Sequence, residues 1–152
     1  MSHIAVIGGS GFASLPGMEF LGEACPETPY GQPSAPIQRG RLAGGDFLFL
    51  SRHGLQHRIP PHAVNYRANI WALKSLGAER VVGLAAVGGI HSAYGPRLLV
   101  APDHLIDYTH GRDQTFHEGG EAGVVHIDFT RPYCEALRAD LLRLARAAGI
   151  AM

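Results

Sequence analysis

The feature that most narrows the fold is a short apolar run closed by glycines. Ile4 to Ile7 is continuously hydrophobic, and Gly8-Gly9-Ser10-Gly11 follows at once. Such a run predicts a strand buried within a sheet that leaves it through a tight loop. The same pattern returns where the apolar residues Val81 to Val87 stop at Gly88-Gly89. Between these two, Gln38–Leu42 and Phe47–Ser51 flank Gly44-Gly45-Asp46, which predicts a hairpin whose second arm runs into Arg52-His53-Gly54.

Helical signals separate the strands. Pro61 suits a helix start, and Val64, Ile70, Trp71, Leu73 and Leu76 trace a rough apolar face that ends at Gly77. Tyr133, Leu137, Leu141, Leu144 and Ala148 recur at helical spacing, with Thr130 as a cap, Pro132 in the first turn and Gly149 as the stop. Val124–Ile127 reads as a further strand, and Leu98–Ala101 and His104–Ile106 as short apolar pieces. Residues 15–36, rich in Pro and Gly and without either period, read as loops, and no internal repeat stands out. The alternation predicts an α/β fold, a parallel or mixed central sheet covered by helices. Ile150-Ala151-Met152 follows a terminated helix where such a domain would enter its next strand, so residues 1–152 read as the N-terminal portion of one domain, incomplete at the C-terminus.

Composition removes several classes. The 152 residues are 46% hydrophobic, long and apolar enough for a core without metals or disulfides, and too apolar for an extended disordered segment. Thirteen basic residues, all arginine but Lys74, balance thirteen acidic ones, leaving no electrostatic reason to expect nucleic acid or an anionic membrane as partner. Cys25 and Cys134 read as reduced thiols in a reducing compartment. Met1-Ser2-His3 carries no basic flank before the apolar run, unlike a secretory signal, and no run approaches a bilayer span.

Chemistry concentrates at the strand ends. Gly8–Gly11 can present amides and the Ser10 hydroxyl to an anion, although a plain glycine turn accounts for the sequence equally well. Arg52 adds a planar fork that suits tetrahedral oxyanions, beside His53 and, four residues on, His57. Alternatively, Ser51–Gly54 and the histidines are a solvated polar loop. Zinc held by His53, His57, His62 and an acid is a third reading, weakened by the lack of any frame that fixes a tetrahedron. If the strands run parallel, Gly8–Gly11, Arg52-His53 and Gly88-Gly89 converge where open α/β sheets bind ligands. Asp107, Asp113 and Asp128 can act as bases or ribose ligands, with no spacing to choose among them. His126, in Val-Val-His-Ile-Asp, reads by itself as an interior or interface histidine.

Taken in order, Ile7-Gly8-Gly9-Ser10-Gly11, Ser51-Arg52-His53-Gly54, the long block from Pro61 through Val64-Asn65-Tyr66-Arg67-Ala68-Asn69-Ile70-Trp71 to Lys74, Ala86-Val87-Gly88-Gly89-Ile90-His91 and Leu105-Ile106-Asp107-Tyr108-Thr109 resemble the purine nucleoside phosphorylase family, in its methylthioadenosine phosphorylase branch. Gly88–His91 and Ile106–Thr109 are most similar to the bacterial S-methyl-5'-thioinosine phosphorylases. The resemblance implies a three-layer phosphorylase-type fold and phosphorolysis of a purine nucleoside. Inorganic phosphate is the co-substrate, with no cofactor and no metal.

By the same resemblance Ser10, Arg52, His53 and the Ala86 amide are phosphate ligands, and His57 is an additional phosphate or sugar contact. His126 reaches a neighbouring subunit's 5' pocket in a cytoplasmic homotrimer. The family's sugar-binding Asn/Thr-Met stretch, a further phosphate-binding hydroxyl and the leaving-group Asp have no counterpart in these residues, so no catalytic residue is assigned and the chain alone is expected to be inactive. Ala85 stands where the family often has Thr or Asn, and Pro96-Arg97-Leu98 where it has Pro-Gly-Asp. The alternatives are a methylthioadenosine or general purine nucleoside phosphorylase, or an inactive remnant that only binds phosphate or assembles.

Overall fold

A computed structural model describes residues 3–9, 12 and 15–152. The chain divides into two compact units: residues 1–86 with 111–116, and residues 87–110 with 117–152.

The first unit is built on five strands: β1 (His3–Gly8), β2 (Glu19–Ala24), β3 (Ile37–Leu42), β4 (Gly45–Ser51) and β5 (Ala78–Gly83). Their order is β2-β3-β4-β1-β5. β1 pairs in parallel with both β4 and β5, while β2, β3 and β4 form an antiparallel meander. The sheet is mixed, as the alternation predicts. The hairpin turns through Ala43 and Gly44, both at positive φ (50° and 81°), a combination that matches the twist of the arms.

Two strand expectations are corrected in this unit. β5 begins at Ala78 and stops at Gly83 instead of covering Val81–Val87, because its register runs from His3↔Ala78 to Ile7↔Gly83 and it pairs only as far as β1 extends. β2 lies within the stretch read as loops. It is an outer strand with exposed Phe20 and Leu21, and a register shift between Phe20 and Gly22 breaks the alternation that would reveal it.

The helix α1 (Tyr66–Ser75) covers one face of this sheet. Asn65 caps it, its side chain accepting from the Ala68 amide at 3.0 Å, and Gly77 at φ 90° ends it. Pro61–Ala63 forms a separate 3-10 turn ahead of it. The buried stripe is Ala68, Asn69, Ala72 and Leu73, with Ala72 and Leu73 packed on Ala5, Leu48 and Leu50 of the strands. Small residues let the helix approach closely, so bulky Ile70 and Trp71, expected on the core face, turn outward, 39% and 42% exposed. Trp71 instead meets Tyr30 edge-on, with ring centroids 5.7 Å apart.

Buried Asn69 ties the helix to the preceding loop. It accepts from the Ser34 amide at 2.7 Å and donates to the Ser34 hydroxyl at 3.0 Å. Asn65 donates to the Tyr30 carbonyl. Residues 111–116 join this unit through the Arg67–Asp113 ion pair (2.5 Å), Arg112 over the Tyr66 ring and Phe116 against Tyr30.

In the second unit, α2 (Glu135–Ala147) is the main element, with a 3-10 turn at Gly120–Ala122. Gly149, at φ 68°, terminates α2 as expected: Ile150 N–H donates to the Ala145 carbonyl and Gly149 N–H to that of Arg146. The start differs. Cys134 is the N-cap, because the Thr130 amide and hydroxyl are both engaged by the Asp128 carboxylate. Residues 124–127 form no strand, and His126 is exposed there. Cys25 and Cys134 are free and exposed.

The packing of α1 separates two neighbouring apolar positions. Leu73→Ala should lose about 2–5 kcal/mol of folding free energy, and Ile70→Ala should stay within about 0.5 kcal/mol of the parent. Urea unfolding checks both, and the reverse order would contradict the observed helix face.

Candidate functional site

The parallel pairing of β1, β4 and β5 brings their C-terminal ends to one edge of the sheet. Beyond the last ladder pairs, Arg52 N–H donates to the Gly8 carbonyl at 2.9 Å, and Leu84 N–H donates to the Ile7 carbonyl at 2.8 Å. The first residues of the glycine turn are therefore clamped between the exits of β4 and β5.

Gly9 shows why that turn needs glycine. A Cβ there would lie 2.6 Å from Nη2 of Arg52 and 2.7 Å from the Leu84 carbonyl oxygen. Real Cβ atoms do not approach so closely, and the backbone oxygen cannot yield. The missing side chain lets the guanidinium lie directly against the start of the turn. Ser10 and Gly11 lie outside the described residues. Ala86 follows two residues after Leu84 and is exposed beyond the end of β5. Gly88-Gly89 belongs to the second unit.

The turn after β4 is closed by its own backbone. Gly54 N–H donates to Ser51, His57 N–H to Gly54 and Ile59 N–H to His53, each at 3.0 or 3.1 Å. Gly54 (φ 78°) and His57 (φ 55°) both adopt left-handed backbone. The His53 ring is buried, 2.8 Å from the Ile59 carbonyl through Nδ1, and Arg52 Nε donates toward its Nε2 at 3.4 Å. The exposed His57 ring tilts over it at 4.7 Å. Arg52 is half-buried, and no carboxylate among the described residues pairs with it. A half-buried guanidinium with no carboxylate partner among the described residues favours a bound oxyanion.

The remaining candidates sort by their partners. Both ring nitrogens of His53 are engaged within the turn, so they are not available to a metal. Among the described residues no group of three or more His, Cys, Asp and Glu side chains comes together as a metal site. Asp113 pairs with Arg67. Asp107 and Asp128 serve local turns, each accepting from the amide and hydroxyl of the threonine two residues on. Hydrogen bonds from the Thr130 hydroxyl and amide hold the Asp128 carboxyl below its ordinary value. This pair of Ile-Asp-aromatic-Thr turns is a local echo, visible in the sequence as Ile106–Thr109 and Ile127–Thr130. The sequence reading also missed Asn65 and Asn69, whose spacing of four along a predicted helix was the available signal.

The parallel strands β1, β4 and β5 thus end at an arginine laid on a glycine turn, the edge at which open α/β sheets place their ligands. Residues 3–152 match the Phosphorylase superfamily, and the chain belongs to that family.

It is 50% identical over 151 residues to the probable S-methyl-5'-thioinosine phosphorylase of Pseudomonas syringae pv. tomato, covering 99% of this chain and 61% of that protein. To the S-methyl-5'-thioadenosine phosphorylase of Thermococcus kodakarensis it is 43% identical over 149 residues, covering 98% of this chain and 56% of that one. The apo methylthioadenosine phosphorylase of Schistosoma mansoni superposes with a TM-score of 0.91 at 35% identity, over 99% of this chain and 54% of the other. The chain thus spans between half and two-thirds of the length of these relatives. The expected mixed-sheet phosphorylase fold is borne out. Among the described residues no helix is long and apolar enough to cross a membrane.

Two outcomes test this geometry. Gly9→Ala should cost about 1–3 kcal/mol in thermal or urea unfolding, since the added methyl meets backbone on one side; a variant as stable as the parent would refute the close approach. Thr130→Val should raise the Asp128 pKa toward the ordinary aspartate value of about 4. Because the folded value is depressed, the contribution of this group to stability is present above the unfolded pKa and is lost as pH falls through the folded one. Carboxyl 13C titration by NMR reads the change, and an unaltered midpoint would contradict it.

Proposed function

We propose that the chain carries the phosphate-binding half of a purine nucleoside phosphorylase. In that reading inorganic phosphate attacks C1' of S-methyl-5'-thioinosine. The C1'–O bond forms as the C1'–N9 bond breaks, and the electron pair leaves with the purine. After protonation the products are hypoxanthine and 5-methylthioribose 1-phosphate. The observation that carries the reading is the Arg52 guanidinium laid against Gly9 between two parallel strand exits. The names of the relatives support it.

Arg52 binds two phosphate oxygens through its fork, the Ser10 hydroxyl and the Ala86 amide contribute from the adjoining turns, and His53 and His57 complete the turn that carries the arginine. The sugar passes through an oxocarbenium-like state, so a dianion held beside it is both nucleophile and counter-charge, and fixed donors lower the entropic cost of its approach. No cofactor or metal enters. His126 serves a neighbouring subunit's 5' pocket in a homotrimer, and the protein works in the cytoplasm. A 6-amino substrate, methylthioadenosine, is the second reading, favoured by the Thermococcus and Schistosoma relatives.

Calorimetric titration of the chain with inorganic phosphate tests the proposal. Saturable binding that falls at least about tenfold in Arg52→Ala supports it, whereas equal binding by both chains overturns it. Chromatography after incubation with phosphate and either nucleoside should find no free purine. Purine release by these 152 residues would show that the site is complete as it stands.

A further inference from the structure

We infer that the His53 side chain acts as a positioning residue for Arg52 and is not itself a phosphate ligand. The inference rests on the phosphate-site reading above and deepens it.

The Ile59 carbonyl, 2.8 Å from Nδ1, can only accept a hydrogen bond, so Nδ1 carries the proton. In the neutral ring Nε2 then holds a lone pair, and that lone pair faces the Nε–H of Arg52 at 3.4 Å. A lone pair turned toward a phosphate dianion would repel it, and a ring that donated from Nε2 in its neutral form would have to give up Ile59. The ring is 7% exposed, which leaves little room for another orientation.

The guanidinium is planar, so fixing Nε fixes the plane of both terminal nitrogens. Nη2 then falls beside Gly9, where a Cβ would be 2.6 Å away. Ile59 holds His53 from both sides, donating its own amide to the His53 carbonyl at 3.0 Å. The order of support is Ile59, His53, Arg52, anion. It gives the buried histidine beside the arginine a role that needs no contact with the anion.

The test separates the two ring nitrogens. His53→Asn keeps an N–H at the Nδ1 position for Ile59 but has nothing at Nε2. His53→Gln restores an acceptor oxygen near Nε2 and gives up the Nδ1 donor. In calorimetric titration of the chain with inorganic phosphate, His53→Asn should bind about five- to tenfold more weakly, the scale of one hydrogen bond. His53→Gln should recover most of that loss. In an Arg52→Lys background, which lacks the guanidinium Nε–H, His53→Asn should have no further effect.

A direct ligand behaves otherwise: its loss persists in the Arg52→Lys background and glutamine gives no rescue, and that result overturns the inference. Nitrogen-15 NMR of the parent chain decides independently of any variant's folding. Protonated Nδ1 with bare Nε2 on His53 supports the inference, and the opposite tautomer overturns it. If the parent binds no phosphate, the phosphorylase reading fails by itself. The Arg52 Nε–H resonance then judges the positioning: a shift in His53→Asn supports it, and an unchanged signal overturns it.

Discussion

The two backbone bonds that leave the end of β1, Arg52 N–H to the Gly8 carbonyl and Leu84 N–H to the Ile7 carbonyl, hold the exits of β4 and β5 beside the start of the glycine turn. They exist because β1 is flanked on both sides by parallel strands, so three chain exits share one edge. An antiparallel neighbour would have sent its exit to the opposite end of the sheet. Gly9 then converts this arrangement into chemistry, since only a residue without a side chain lets the Arg52 guanidinium and the Leu84 carbonyl approach the same backbone atom.

The rest of the first unit holds this edge in place. α1 lies close to the sheet because Ala68 and Ala72 keep its buried face thin, and Asn69 fastens the loop at Ser34 to that face. The Ser34 carbonyl in turn approaches Gly54, where a Cβ would lie 3.4 Å away, so the loop below the Arg52 turn is tied to the helix. The result is a half-buried arginine whose position is set by backbone bonds and one imidazole, with no carboxylate among the described residues to neutralise it. Charge held this way is costly to desolvate alone and gains from an oxyanion.

The sequence made the strand-to-glycine pattern, the hairpin and the end of α2 legible, since each depends on local chemistry: apolar runs, a tight turn and a helix-stopping glycine. It misled where tertiary pairing decides. The limits of β5 follow from the length of β1, and β2 is a strand only because β3 offers it an edge. The α1 face was misread because hydrophobicity ranks Trp71 above Ala72, whereas close packing prefers the alanine. In the site, Arg52 and its turn were readable from residue type and position. The engagement of both His53 nitrogens was not, because it depends on where the Ile59 carbonyl arrives after a turn that includes left-handed Gly54 and His57. The family resemblance supplied the roles expected of Ser10, Ala86 and His126, which local physics leaves open.

The most direct measurement of the central claim is a map of backbone amide shifts as inorganic phosphate is added to the chain. The account predicts that Gly9, Arg52 and Ala86 move together with one shared dissociation constant, as three turns gathered on a single anion must. Shifts confined to the arginines around α2 (Arg131, Arg138, Arg143 and Arg146), with the Gly9 and Arg52 signals unmoved, would contradict it.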